Sequence, residues 1–479
     1  MSYGGGIFLT QNKVLPGAYI NFASAVKAAS ELSDRGYGAM GLELDWGPEK
    51  QIFTVEQEDF QEHPEQYFGY DYTSKKLKGL RDLFTNLKVG YFYRLNGGGN
   101  KATCAYGTAK YSGICGNNIT VVISKNVDNM QAFDVATYYN NELMDTQTAT
   151  DVASLADNDF IVWNDAASLT ETAGTNMEGG TNGTAASGTD HSQFLDLLES
   201  YPINILACTS IDETVKKLYA SYTKRMRDDE GSKFQCVIYN YEGDYEGIIN
   251  VNTPAVDSDF GESALVYWVA GAEASCQINE TVGNKVYDGE FSMKVDTKQS
   301  ALKKHIEQGH FVFHQVADGE YRVLKDVNSF VSFTKHKTKD FALNQDMRVL
   351  DQIGNDVAVL FAKNYMDKSQ NNPEDRTALW NDLCDYAKKL LSLHAITDFK
   401  TSDIVVEKRR RQGRRPGQLQ RQSGSRYGKT VYVRLRSVGK GRILNGRRHQ
   451  INERQRRRIC RPGQCVCQNR RHPVSVDAA

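Results

Sequence analysis

The chain has 479 residues, with 58 Lys and Arg against 59 Asp and Glu and a formal net charge of −1, and no stretch approaches the roughly 18 apolar residues of a membrane-spanning helix. Its start, Met1-Ser-Tyr-Gly-Gly-Gly-Ile-Phe, lacks the charged and then apolar pattern of a signal peptide, so the expectation is a soluble product that is not exported by a signal peptide. The near-neutral total conceals a break at about residue 408: residues 408–479 hold 22 basic groups and only Glu453 and Asp477 as acids, leaving 36 basic and 57 acidic groups on residues 1–407.

In chain order, residues 1–16 read as a Gly-led arm whose short apolar run, Ile7-Phe8-Leu9, is closed by Pro16-Gly17. Dense apolar residues in Gly38-Ala-Met-Gly-Leu-Glu-Leu-Asp-Trp-Gly-Pro48 predict a buried strand stopped by a turn. Leu77, Leu80, Leu83, Phe84 and Leu87 recur at helical spacing over 74–87, and a strand follows at Val89–Leu95. Strand, helix and strand at this length predict a β-α-β unit with parallel pairing. From Asn96 the texture changes to short Thr-, Val- and Tyr-rich pieces at 101–111, 119–123, 132–139 and 159–163, which predict a separate β-sandwich or barrel ending in a Gly-rich linker at 174–188. The α/β texture then resumes: helices at 191–199, 210–228 and 261–278, strands at 203–208, 234–239 and 247–251, and a hairpin joining 310–316 to 321–327. Two amphipathic helices, at 346–365 and 374–393, precede one more strand beginning at 403–407. The expected fold class is α/β, with an α/β domain over 17–95 and 189–400 interrupted by a β-domain over 96–188.

Candidate chemistry is sparse. Asp190, His191 and Ser192 are the residue types of a hydrolase triad, but consecutive residues do not normally bring nucleophile, base and orienter together; a helix N-terminus capped by Asp190 is the simpler reading. His305, His310 and His314 form a metal cluster only if helix, turn and strand converge, and surface or hydrogen-bonded histidines are favoured. The Gly-rich run lacks both phosphate-binding glycine patterns. Cys104, Cys115, Cys208, Cys236, Cys276 and Cys384 show no metal-ligand pairing and read as reduced thiols, and the C-x4-C-x-C of Cys460, Cys465 and Cys467 is not a zinc spacing. No cofactor, metal or catalytic residue is expected.

Several strings together resemble the contractile tail sheath proteins of bacteriophages and related particles, in the branch found in Gram-positive phages and prophages. They are residues 4–22, Gly-Gly-Thr-Asn-Gly at 179–183, Tyr241-Glu-Gly-Asp-Tyr-Glu-Gly247, Trp268-Val-Ala-Gly-Ala272, Asn284-Lys-Val-Tyr-Asp-Gly289, Arg322–Asn328 and Arg348–Asp356, so the resemblance runs from about residue 4 to 407. It implies a structural subunit of the virion tail with an α/β domain of subtilisin-like topology, without that enzyme's catalysis, and an outer inserted β-domain. Its implied partners are further copies of the chain, a tail tube protein, and baseplate and tail terminator proteins, with no membrane and no direct nucleic-acid binding. The resemblance also implies arms that add strands to neighbouring subunits, here Ile7, Phe8, Leu9 and Val14 at one end and Ile404, Val405 and Val406 at the other. An extended arm satisfies the unpaired N–H and C=O groups of a sheet edge, and Gly4, Gly5, Gly6 and Gly17 would let it rotate.

The basic tail departs from this pattern. A permitted set of codons for Arg426–Arg436, read one base later, encodes Gly-Met-Glu-Lys-Leu-Tyr-Met-Ser-Val-Tyr, the ending the resemblance implies. The same shift turns the arginines of 408–417 into acidic residues and allows a stop followed by a start at Ile443–Asn445. The expectation is that 408–479 follow a frameshift and are disordered. Two alternatives stand beside it: a scaffold whose basic tail binds nucleic acid, which high salt would weaken steeply, and, more remotely, a hydrolase using Ser192.

Overall fold

The structure, a computed structural model, describes residues 33–366, 368 and 372–408, with the backbone of 431–435. The arm residues Ile7, Phe8, Leu9 and Val14, the hinges Gly4, Gly5, Gly6 and Gly17, and Cys460, Cys465 and Cys467 lie outside the described residues.

Strand β1 (Tyr37–Leu42) is followed by β2 (Ile52–Glu56), the short helices α1 (Gln57–Glu62) and α2 (Pro64–Phe68), α3 (Lys78–Phe84) and β3 (Val89–Arg94). β1 pairs parallel with β3, from Tyr37 opposite Val89 to Leu42 opposite Arg94, so the expected β-α-β unit is present. β2, absent from the sequence reading, runs antiparallel to β3 and closes one edge.

Between β3 and the return to this sheet the chain builds β4 (Lys101–Thr103), β5 (Gly107–Ser112), β6 (Ile119–Lys125), β7 (Phe133–Tyr139), β8 (Glu142–Ala149), β9 (Ile161–Trp163) and β10 (Thr172–Asn176). These form a four-stranded sheet in the order β10-β6-β7-β8 and a three-stranded sheet in the order β4-β5-β9. Inward residues of both, among them Ile119, Val121, Val135, Tyr139, Ile161 and Trp163, share one core. Strand β10 corrects the linker reading of 174–188. Met177 is buried, Glu178 pairs with Thr103 as an isolated bridge, and of the glycines that follow Gly180 and Gly183 sit at close backbone approaches. A Cβ on Gly183 would lie 2.0 Å from the Gly97 carbonyl oxygen, so the outgoing and returning segments touch backbone to backbone.

The chain then adds α4 (Gly188–Leu198), β11 (Ile205–Cys208), α5 (Glu213–Arg225), β12 (Gln235–Tyr239), β13 (Ile248–Val251), α6 (Leu265–Ser275), α7 (Gln299–Glu307) and β14 (His310–Phe311). The completed sheet has seven strands in the order β14-β13-β12-β11-β1-β3-β2. β11, β12 and β13 are buried at every position, which is why they read as continuous apolar runs. On one face lie α4 and α5, with Phe194, Tyr219, Cys208 and Cys236 in the core. The other face carries α3 and α6 with Phe60, Phe68, Phe92 and Trp268. Helix α6 is enclosed on all sides, buried from Leu265 to Ala274, and a Cβ on Gly271 would come 2.2 Å from the Leu83 carbonyl oxygen, where α3 crosses it.

The expected hairpin after residue 310 is divided. β14 joins the large sheet beside β13, and after Val312 the chain starts a separate hairpin of β15 (Phe313–Gln315) and β16 (Tyr321–Val323). The last layer comprises α8 (Asn344–Asn364), α9 (Pro373–Ser392), β17 (Ile404–Lys408) and β18 (Val431–Leu435). β17 and β18 pair antiparallel, from Ile404 opposite Leu435 to Lys408 opposite Val431. Residues 431–435 are therefore strand, against the expectation that all of 408–479 are disordered. Among the described residues, no helix is long and apolar enough to cross a membrane.

Candidate assembly site

Of the residues expected to meet neighbouring subunits, the described ones are Ile404, Val405 and Val406, and the helix behind them sets their position. Pro373 opens α9, and the Asn372 side chain accepts the Asp375 N–H at 2.6 Å as its N-cap. Leu379, Leu383, Tyr386 and Leu390, the apolar spacing that predicted this helix, are all buried. Ile404 is 3% exposed and packs with Leu379, Leu383, Cys384 and Leu360; Val405 and Val406 are half-buried. The Trp380 indole N–H donates to the Ile404 carbonyl at 3.0 Å, and the Asp403 carboxylate accepts the Lys400 N–H at 3.0 Å, so the strand is fixed where it begins.

The whole layer is fastened to the large sheet by charges on the inner face of α8. The apolar spacing on this helix is real, but Arg348, Asp351, Gln352 and Asp356 are buried as well. Arg348 donates to Glu273 on α6 at 2.5 Å and lies 3.4 Å from Asp326. Asp351 takes a two-pronged contact from Arg227, at 2.6 and 2.8 Å. Asp356 accepts from Tyr386 on α9 at 2.7 Å, from Gln352 at 3.1 Å and from the Ser33 hydroxyl. Sequence reasoning passed over this stripe, although charges at 348, 351 and 356 share the helical spacing of the apolar face.

Two carboxyl groups face one guanidinium there. Burial, and then the Asp326 charge, push Glu273 up to about 8. Burial opposes ionisation of Asp326 too, but Arg348 and the hydrogen bonds around it hold that carboxyl below its ordinary value. Arg348 is disfavoured by burial yet held above its ordinary range by both acids. The cluster thus carries Arg348 and Asp326 ionised and Glu273 protonated at neutral pH. Arg35, lowered to about 10 by burial and by the nearby Arg348, donates to the Cys276 and Glu273 carbonyl oxygens at 2.8 and 3.1 Å.

A second joint is apolar. Trp46, on the loop after β1, is fully buried in the core of the β-layered unit, 5.3 Å from Tyr111 edge-on and 6.3 Å from Phe160, ring centre to ring centre. The neighbouring Asp45 accepts from Asn182 at 2.5 Å and from the Tyr70 hydroxyl, and Tyr139 donates to the Gly69 carbonyl at 2.5 Å.

The constellations that suggested chemistry are not assembled. Ser187, not Asp190, is the N-cap of α4; Asp190 closes a capping box three residues on. His191 Nδ1 lies 3.0 Å from the Tyr219 hydroxyl, and no hydrogen bond joins it to Ser192. His305 and His310 face each other through Nδ1 at 2.9 Å, and His305 Nε2 lies 2.9 Å from Asp296, leaving neither ring nitrogen of His305 free for a metal. Among the described residues, no group of three or more His, Cys, Asp or Glu is arranged to hold a metal ion, and the six cysteines there are free thiols.

Family models divide the chain where its architecture changes. The phage tail sheath protein beta-sandwich domain matches residues 97–182, the central domain 184–329 and the C-terminal domain 336–422. The phage-like element PBSX protein XkdK of Bacillus subtilis strain 168 is 31% identical over 387 residues, covering 74% of this chain and 81% of that one. The chain belongs to the phage tail sheath protein family. Two crystal structures of sheath tail proteins resemble this sheath chain over most of their length. That from Desulfitobacterium hafniense has 33% identity and a TM-score of 0.68, covering 82% of this chain and 93% of its own; that from Listeria innocua has 30% identity and 0.69, covering 79% and 89%. The sheath family's C-terminal match ends at residue 422, short of β18.

Proposed function

We propose that this sheath subunit polymerises into a helical sleeve around an inner tube and shortens to drive that tube through a bacterial envelope, acting as a structural protein without catalysis. The observation that carries the reading is β17: a strand fixed by α9 and the Trp380 hydrogen bond at the edge of the folded layers. A strand so held aligns its edge groups before a partner arrives, which lowers the ordering cost of strand addition. Each added hydrogen bond contributes about 0.5–1.5 kcal/mol net, so one junction is weak while a lattice of them holds. The partners are other copies through the two arms, a tail tube protein, and baseplate and terminator proteins; assembly takes place in the host cytoplasm.

Deletion of residues 1–16 tests the reading. Electron microscopy of the purified chain should show long helical sleeves only when the arm is present; normal sleeves from the truncated chain would remove the arm from the mechanism.

A further inference from the structure

We propose that β18 is a cap held in cis on β17, occupying one of the two edges at which a strand from a second copy could pair. Three observations carry this. β17 has a fixed place on α9, so its edge is a preformed template. β18 matches it along its full length, with five residue pairs from Ile404 opposite Leu435 to Lys408 opposite Val431. And β18, Val-Tyr-Val-Arg-Leu, begins beyond residue 422, where the match to the family's C-terminal domain ends. Its β-branched and aromatic composition suits a strand.

The cap acts through proximity. Residues 409–430 tether β18 to β17, and a tethered strand meets its partner at an effective concentration on the order of millimolar, far above that of subunits in dilute solution. A free chain therefore keeps this edge covered, which guards against pairing out of place. Five residue pairs are also few enough to be displaced when many subunits are aligned at once. That the displacing strand comes from another subunit rests on the sheath reading; the cap itself does not.

The test uses the full-length chain and a labelled synthetic peptide of residues 429–437. Val433→Pro removes a strand N–H and breaks the ladder of β18 at its centre, while the cores described above are built from residues 39–406 and stay intact. Fluorescence anisotropy should show the peptide binding Val433→Pro at least ten-fold more tightly than the wild type, with a scrambled peptide binding neither. Equal binding to both proteins, no binding to the variant, or equal binding of the scrambled peptide would overturn the cap. A second measurement pairs Val406→Cys with Val433→Cys, which face each other in register. Mild oxidation at low concentration should join the two positions within one chain, as peptide mapping reads directly; a bond only between chains, or none, would also overturn it. Peptide exclusion intact in a chain that never forms sleeves would discard the sheath reading and retain the cap.

Discussion

Glu273, Asp326 and Arg348 meet where water does not reach, each 4% exposed or less. Because burial raises Glu273 to about 8, the folded protein holds a proton there that the unfolded chain releases at ordinary carboxyl pKa. The folded state binds more protons between those values, so this group stabilises fully at low pH and its contribution is lost as pH rises towards 8. The loss proceeds at no more than about 1.4 kcal/mol per pH unit for one proton. Glu273→Gln keeps a neutral side chain of the same shape and should flatten that slope. Thermal melts at pH 6 and pH 9 would differ less in the variant than in the wild type, and an unchanged difference would refute the protonated state assigned to Glu273. Asp351 makes a second buried contact, held by Arg227 in a two-pronged pair. Asp351→Ala strands a buried cation, which costs on the order of 3–5 kcal/mol, and should lower the denaturant midpoint sharply.

Among the elements, those whose side chains obey one rule were legible in the sequence. β11 and β12 are buried on both faces and appear as unbroken apolar runs, and α9 shows four apolar residues at helical spacing. β8 was missed because most of its residues, from Glu142 to Ala149, are exposed or half-buried, so no apolar face announces it. β10 is Thr, Ala, Gly and Asn, a composition shared with loops, and only its pairing with β6 makes it a strand. The Asp45-Trp46-Gly47 turn was legible as a turn, but nothing local reveals that its indole completes a core formed mainly by residues 102–177. Trp46→Ala removes a large fully buried ring, with an expected cost of about 3–5 kcal/mol. The β-layered unit should then become the first region cut in limited proteolysis, and an unchanged cleavage pattern would count against the indole as its anchor.

At the scale of the molecule, the two joints differ in kind. The β-layered unit is plugged in by aromatic rings and the C-terminal layer is clamped by buried ions, so pH acts on the second far more than on the first. The candidate site was legible in part: the strand after residue 403 was expected from its apolar run and α9 from its apolar periodicity, but the packing of one on the other was not. The clamp was not, because Glu273 and Arg348 are 75 residues apart and each reads alone as a solvated charge.

Helix α6, enclosed from Leu265 to Ala274 with α3 in backbone contact at Gly271, has no surface of its own. Its amides can meet deuterium only when the sheet and the helices around it come apart together, so their exchange should be the slowest in the chain and set by global opening. That makes α6 an internal gauge of subunit stability within an assembled sleeve, where a denaturant titration would dissolve the polymer before it reported on the fold. Exchange of these amides as rapid as that of the exposed strand β8 would mean that this part of the molecule opens locally.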